Sequence, residues 1–63
     1  MYKLRNVLSG QDIIRLSDGA IIPFDPANTD YQAFKKEVLA GAELQDADGN
    51  VITDASAYIA RLP

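Results

Sequence analysis

A chain of sixty-three residues forms one domain at most, and a domain of that size buries only about 60% of the surface its unfolded chain exposes, so its core must be thin. Hydrophobic residues at 48% and charged residues at 24% fit a folded soluble domain, while the absence of Cys and His excludes disulfides, thiolate or imidazole metal sites and triads built on either residue. Nine acidic against six basic residues give a net charge of −3, which speaks against a phosphate-backbone footprint, so nucleic acid is not an expected partner.

Along the chain, Met1 to Leu8 alternates, with Tyr2, Leu4 and Leu8 on one side and Lys3, Arg5 and Val7 on the other, and predicts an edge strand. Ser9-Gly10 breaks the run. Asp12-Ile13-Ile14-Arg15-Leu16 and Ala20-Ile21-Ile22 then flank Ser17-Asp18-Gly19. Asp-Gly suits a two-residue type I′ turn, which would set Ser17 opposite Ala20, Leu16 opposite Ile21 and Arg15 opposite Ile22, with Ile14, Leu16 and Ile21 on one face. Pro23 has no N–H to give to a ladder, so this second strand should lie at an edge or end there.

Thr29 to Gly41 predicts a helix: Thr29 and Gln32 form a T-x-x-Q capping box, Asp30 suits the first turn, and Gly41 suits the C-cap. Tyr31, Phe34, Val38 and Leu39 make its apolar face. Ala42 to Gln45 and Val51 to Thr53 bracket Asp46-Ala47-Asp48-Gly49-Asn50 as a second hairpin, and Asp54 is placed to cap a last helix with Ala55, Tyr58, Ile59 and Leu62 on one face and Pro63 at its end. The expectation is one α+β domain over residues 1–63, with β-hairpins packed on a central helix and a short C-terminal helix. Apolar runs of no more than four residues are far below the roughly 20 needed to span a bilayer, so neither a membrane partner nor an export signal is expected.

No arrangement of residues forms a catalytic or cofactor signature. Counting from Asp46, the EF-hand positions that want Gly and a bidentate Glu hold Val51 and Ala57, so the acidic stretch reads as a polar turn and no metal is expected. Asp25 with Asp30, or Asp12 with Asp18, would need a pocket to separate their pKa values, and turn or capping roles account for each. The chain is read as a non-enzyme without cofactors. Its aromatics, Tyr2, Phe24, Tyr31, Phe34 and Tyr58, suit either interface anchors or core.

One connection stands apart. In Ile22-Pro23-Phe24-Asp25-Pro26-Ala27-Asn28-Thr29-Asp30-Tyr31 each proline fixes its own φ and pushes the preceding residue out of the helical region, while Asp25 and Asn28 can bond nearby backbone. The result is a stiff strap between hairpin and helix. Residues 12–34, about a third of the chain, resemble a pattern of short tailed-bacteriophage and prophage proteins, also met in some tail-fibre and fibre-assembly polypeptides, through the Ile-Pro-x-Asp-Pro-Ala-Asn-x-Asp-Tyr segment. After Phe34 the chain departs from that pattern: in place of a Trp-containing helix and a Gly-Asn-Thr-Pro tail it has Lys35-Lys36-Glu37-Val38-Leu39 and an extension from Ala42, expected to complete the core or an oligomer contact.

The resemblance implies a non-enzymatic virion protein of the tail, tail fibre or neck. It would act by protein–protein contacts with phage structural proteins, as a homo-oligomer, in the virion or in the host cytoplasm during assembly. Phe24, Asp25, Asn28, Asp30 and Tyr31 are the interface candidates. The alternatives are a transient tail-fibre assembly chaperone and a small acidic inhibitor of a host protein.

Overall fold

In the computed structural model, which describes residues 1–8 and 10–62, side-chain alternation in the first strand decides how the sheet is used. β1 (Tyr2–Val7) turns Tyr2 and Leu4 into the core and Lys3 and Arg5 to the other side. It pairs antiparallel with β2 (Gly10–Arg15), which pairs antiparallel with β3 (Ala20–Ile22). After α1 (Thr29–Leu39), the short β4 (Leu44–Gln45) joins the free side of β1 in parallel, and α2 (Ala55–Ala60) follows. The strand order β3-β2-β1-β4 with two helices makes a small α+β domain.

Three local expectations need correction. β1 is a central strand, not an edge: the Tyr2 N–H donates to the Glu43 carbonyl at 2.9 Å, a partner that arrives only after α1. The β2–β3 register is Arg15 opposite Ala20, Ile14 opposite Ile21 and Ile13 opposite Ile22, two residues away from that of a type I′ hairpin. The cause lies in the turn. Type I′ needs positive φ at both central residues, yet only Gly19 has it (φ 74°), and the Asp18 carboxylate accepts from the Ala20 N–H at 3.1 Å and from the Arg15 guanidinium. A shift of two keeps Ile14 and Ile21 on one face, but that face is the outer one; Ile13 and Ile22 go to the core.

The third correction concerns the cap. Asn28, extended at φ −81° and ψ 126°, is the N-cap of α1, and its Oδ1 accepts from the Tyr31 N–H at 3.1 Å. Such a cap contributes about 1 kcal/mol. Thr29 is already helical, and the Gln32 amide donates to the Pro26 carbonyl at 2.7 Å instead of closing a capping box. At the other end Ala40 is the C-cap and Gly41, at φ 113°, lies just beyond it. The Gly41 N–H donates to Val38 and the Ala42 N–H to Glu37, the paired bonds that close a Schellman end.

The core is Tyr2, Leu4, Ile13, Ile22, Tyr31, Phe34, Val38, Leu44 and Ile59, so the inner sheet face and both helices meet in one cluster. Phe34 sits at its centre, edge-on to Tyr2 at 5.0 Å and stacked with Tyr31 at 6.1 Å. Leu39 is left out of the apolar face, 58% exposed: about 100° per residue puts it about 140° around the helix from Phe34. The extension from Ala42 completes the core through Leu44 and Ile59, with Ile52, Ala55, Tyr58 and Leu62 packed beside them.

Its hairpin is rudimentary. Only Gln45 and Val51 form a bridge, joined by a bond from the Ile52 N–H to the Leu44 carbonyl at 2.8 Å. Asp54 occupies the N-cap position of α2, but its side chain makes no capping bond. The expected roles of Ser9 in the first turn and Pro63 at the helix end lie outside the described residues.

Candidate functional site

The strap is built by its own polar groups. The Asp25 carboxylate accepts from the Ala27 N–H at 3.0 Å, the Asn28 N–H donates to the Asp25 carbonyl at 2.9 Å, and the Asn28 side chain caps α1. Its rings turn inward: Tyr31 is fully buried, and Phe24, half-buried, meets it edge-on at 5.7 Å. Pro23, Asp25, Pro26, Ala27, Thr29 and Asp30 are what it shows to solvent. Of the five candidates, then, Phe24, Asn28 and Tyr31 hold the strap in place, while Asp25 and Asp30 are presented outward.

Asp30 also approaches Arg15, Oδ1 to Nη1 at 3.6 Å, and Arg15 grips Asp18 through two hydrogen bonds of 3.0 and 2.9 Å. The Arg15 guanidinium holds the Asp18 carboxyl below the usual carboxylate range. Arg15 therefore ties the β2–β3 turn to the first turn of α1. On the outer sheet face a second fork, from Arg5 to Asp12 with Nε to Oδ1 at 2.8 Å, lowers the Asp12 pKa in the same way.

The Tyr2 hydroxyl is the one buried side-chain polar atom without a hydrogen-bond partner among the described residues. Burial first, and then the Glu37 carboxylate, push its pKa up, while Arg15 pulls it down. Burial also raises Tyr31 and Tyr58. A phenol whose pKa is raised by folding adds stability that is whole below its unfolded value of about 10 and is lost as pH climbs through the folded value. Tyr2→Phe is thus expected to hold or raise the urea midpoint at neutral pH, since an unsatisfied buried hydroxyl costs about 1–3 kcal/mol, and to flatten the alkaline decline. Urea titrations from pH 7 to the alkaline limb would show it; a lower midpoint at pH 7 would mean that the hydroxyl is held by a partner.

Asp46 Oδ1 accepts from the N–H groups of Asp48 and Asn50 at 3.0 and 2.9 Å, which uses the acidic loop to shape its own turn. Among the described residues no three Asp or Glu side chains stand close enough to hold a metal ion, and no helix is long and apolar enough to cross a membrane.

Among the described residues, exposed apolar surface includes the outer sheet face and a groove beside the end of α1. Both helices pack on the inner sheet face, and no described element covers the outer one. There Ile21, 51% exposed, lies beside Ile14, which lies beside Lys3. Leu16 and Met1, joined by a bond from the Leu16 N–H to the Met1 carbonyl, continue the strip and are 39% and 56% exposed. The other surface is an open groove of about 530 Å³ between the end of α1, β4 and the start of α2, floored by Val38 and Leu44 and flanked by exposed Leu39 and Val51.

Neither surface is among the strap candidates. The sequence carried a signal for each: the adjacent Ile21-Ile22 pair cannot both face one core, and Leu39 falls off the helical stripe. The sequence and fold match no protein-family model, no curated protein and no solved structure.

Proposed function

We propose that this chain is a non-enzymatic component of a tailed-bacteriophage particle, of the tail, its fibres or the neck, that works through protein–protein contacts as a homo-oligomer. The observation that carries the contact reading is the uncovered outer sheet face, where Ile14, Leu16 and Ile21 form an aliphatic strip on a domain too small to leave much apolar surface unused. The phage assignment rests on the resemblance over residues 12–34. The strap supports the reading by its stiffness: it joins the end of β3 to α1, so Asp25 and Asp30 would meet a partner without ordering a loop.

The test is quantitative mass spectrometry of gradient-purified particles from the phage that encodes the chain. A fixed copy number of about three, six or twelve per particle, as closed symmetry requires, is the expected result. A chain abundant in the lysate and missing from the particles would replace this reading with the assembly chaperone or the host inhibitor.

A further inference from the structure

We propose that Asp48–Gly49 is a site of spontaneous covalent modification, isomerising to isoaspartate through a cyclic imide, and that the Arg15 fork protects the chain's other Asp–Gly pair, Asp18–Gly19.

The reaction joins neighbouring groups of one chain. The Gly49 backbone nitrogen attacks Cγ of the protonated Asp48 carboxyl, its N–H proton and the carboxyl hydroxyl leave as water, and a five-membered imide closes. Water then adds back. Opening at Cγ restores aspartate, while opening at the α-carbonyl leaves the chain running through Cβ and Cγ, one methylene longer, with a free α-carboxylate. One water leaves and one enters, so no co-reactant is needed and the mass is unchanged. Glycine is the neighbour that allows it, because no Cβ crowds the nitrogen and the backbone turns easily through the closing geometry.

The two pairs share that sequence and differ in what holds the carboxylate. Asp18 Oδ1 accepts from Arg15 Nε at 3.0 Å and from the Ala20 N–H at 3.1 Å, and Oδ2 accepts from Arg15 Nη2 at 2.9 Å. Both oxygens are tied, and the guanidinium favours the ionised form, whose oxygen cannot leave as water. Asp48 is exposed, and among the described residues its carboxylate takes part in no hydrogen bond or ion pair. Its side chain is free to turn toward Gly49. Open space surrounds both glycines, and each N–H donates to a carbonyl, Gly19 to Arg15 at 2.7 Å and Gly49 to Asp46 at 3.0 Å. That bond has to open at either site, so the carboxylate makes the difference. The product would fall in a loop closed by its own ends, where the Asp46 N–H donates to the Asn50 carbonyl at 2.8 Å and Gln45 bridges Val51. An added methylene there lengthens the turn that carries the chain from β4 toward α2.

The experiment is incubation of the folded full chain at neutral pH in heavy-oxygen water. Each passage through the imide leaves one heavy oxygen on the residue, which peptide mass spectrometry locates, and electron-transfer fragmentation separates isoaspartate from aspartate. Wild type should gain label at Asp48 at least about fivefold faster than at Asp18, the factor by which one surface ion pair in good geometry raises a barrier. Arg15→Gln should bring Asp18 up to the Asp48 rate. Asp48→Glu should gain none at that position in the same time, because glutamate would have to close a larger ring.

The same chain unfolded in urea, where neither carboxylate is held, sets the upper rate for both residues. Label at Asp48 in urea and none in the folded chain would show that the loop protects it, and the site would be overturned. Equal rates at Asp48 and Asp18 in folded wild type would overturn the protection by Arg15, as would an unchanged Asp18 rate in Arg15→Gln. Circular dichroism confirms that each variant folds; should Arg15→Gln fail, Arg15→Lys, which keeps the charge and loses the fork, makes the same comparison.

Discussion

Phe34→Ala is expected to leave the chain without a stable fold at 25 °C. The ring is fully buried at the meeting point of sheet and helix, edge-on to Tyr2 and stacked on Tyr31. Emptying such a site costs about 3–5 kcal/mol. A chain of this size has a total stability of about 3–9 kcal/mol, so one cavity consumes most of it. Tyrosine near-ultraviolet dichroism should disappear and the urea transition lose its folded baseline, whereas Phe34→Leu should retain a cooperative transition at a lower midpoint. A wild-type midpoint for Phe34→Ala would show that the rings do not organise this core.

Ile59→Asp should detach the C-terminal helix and carry β4 with it. α2 has six residues, too few to be helical alone, and no side-chain bond caps its start. Its hold on the rest is Ile59, 3% exposed, with Ala55, Tyr58 and Leu62 beside it. A carboxylate at that depth costs several kcal/mol unless the helix swings out. The variant should lose about 3 kcal/mol of stability, with hydrogen-exchange protection gone first from β4 and α2. Ala60→Asp, on the exposed side of the same helix, should change the urea midpoint little. Equal losses for both would mean that aspartate acts on helix propensity and not through the core.

Much of this architecture could be read from pattern. Helix periodicity located α1 and its buried Tyr31, Phe34 and Val38, and Pro23 ended β3 at the sheet edge. What escaped were effects that depend on competing partners. Asp18 had two donors to choose from, the Ala20 N–H and the Arg15 guanidinium; it took both, and the turn lengthened. Asn28, the stronger N-cap residue, took the cap and left Thr29 as the first residue of the helix. The central place of β1 depends on β4, which the sequence marks as half of a local hairpin; nothing in so short a strand shows that its main partner is β1.

Site legibility followed the same division. The strap stood out because prolines and short polar residues are conspicuous, yet that conspicuousness mainly reflects local construction. The sheet strip and the groove consist of ordinary aliphatic residues, and only the fold shows that Ile21, Leu39 and Val51 face solvent.

The parallel pairing of Tyr2 with Leu44 also governs the order in which the chain can be finished. β1, β2 and β3 join through nearby residues, and α1 forms from its own sequence, so these pieces close short loops. The β1–β4 pairing must close a loop around nearly all of them, and the entropy of closing a long loop has to be met before its contacts repay it. Until residues 42–45 are in place β1 has a free edge, and any strand-like segment nearby competes with β4 for the place beside Tyr2.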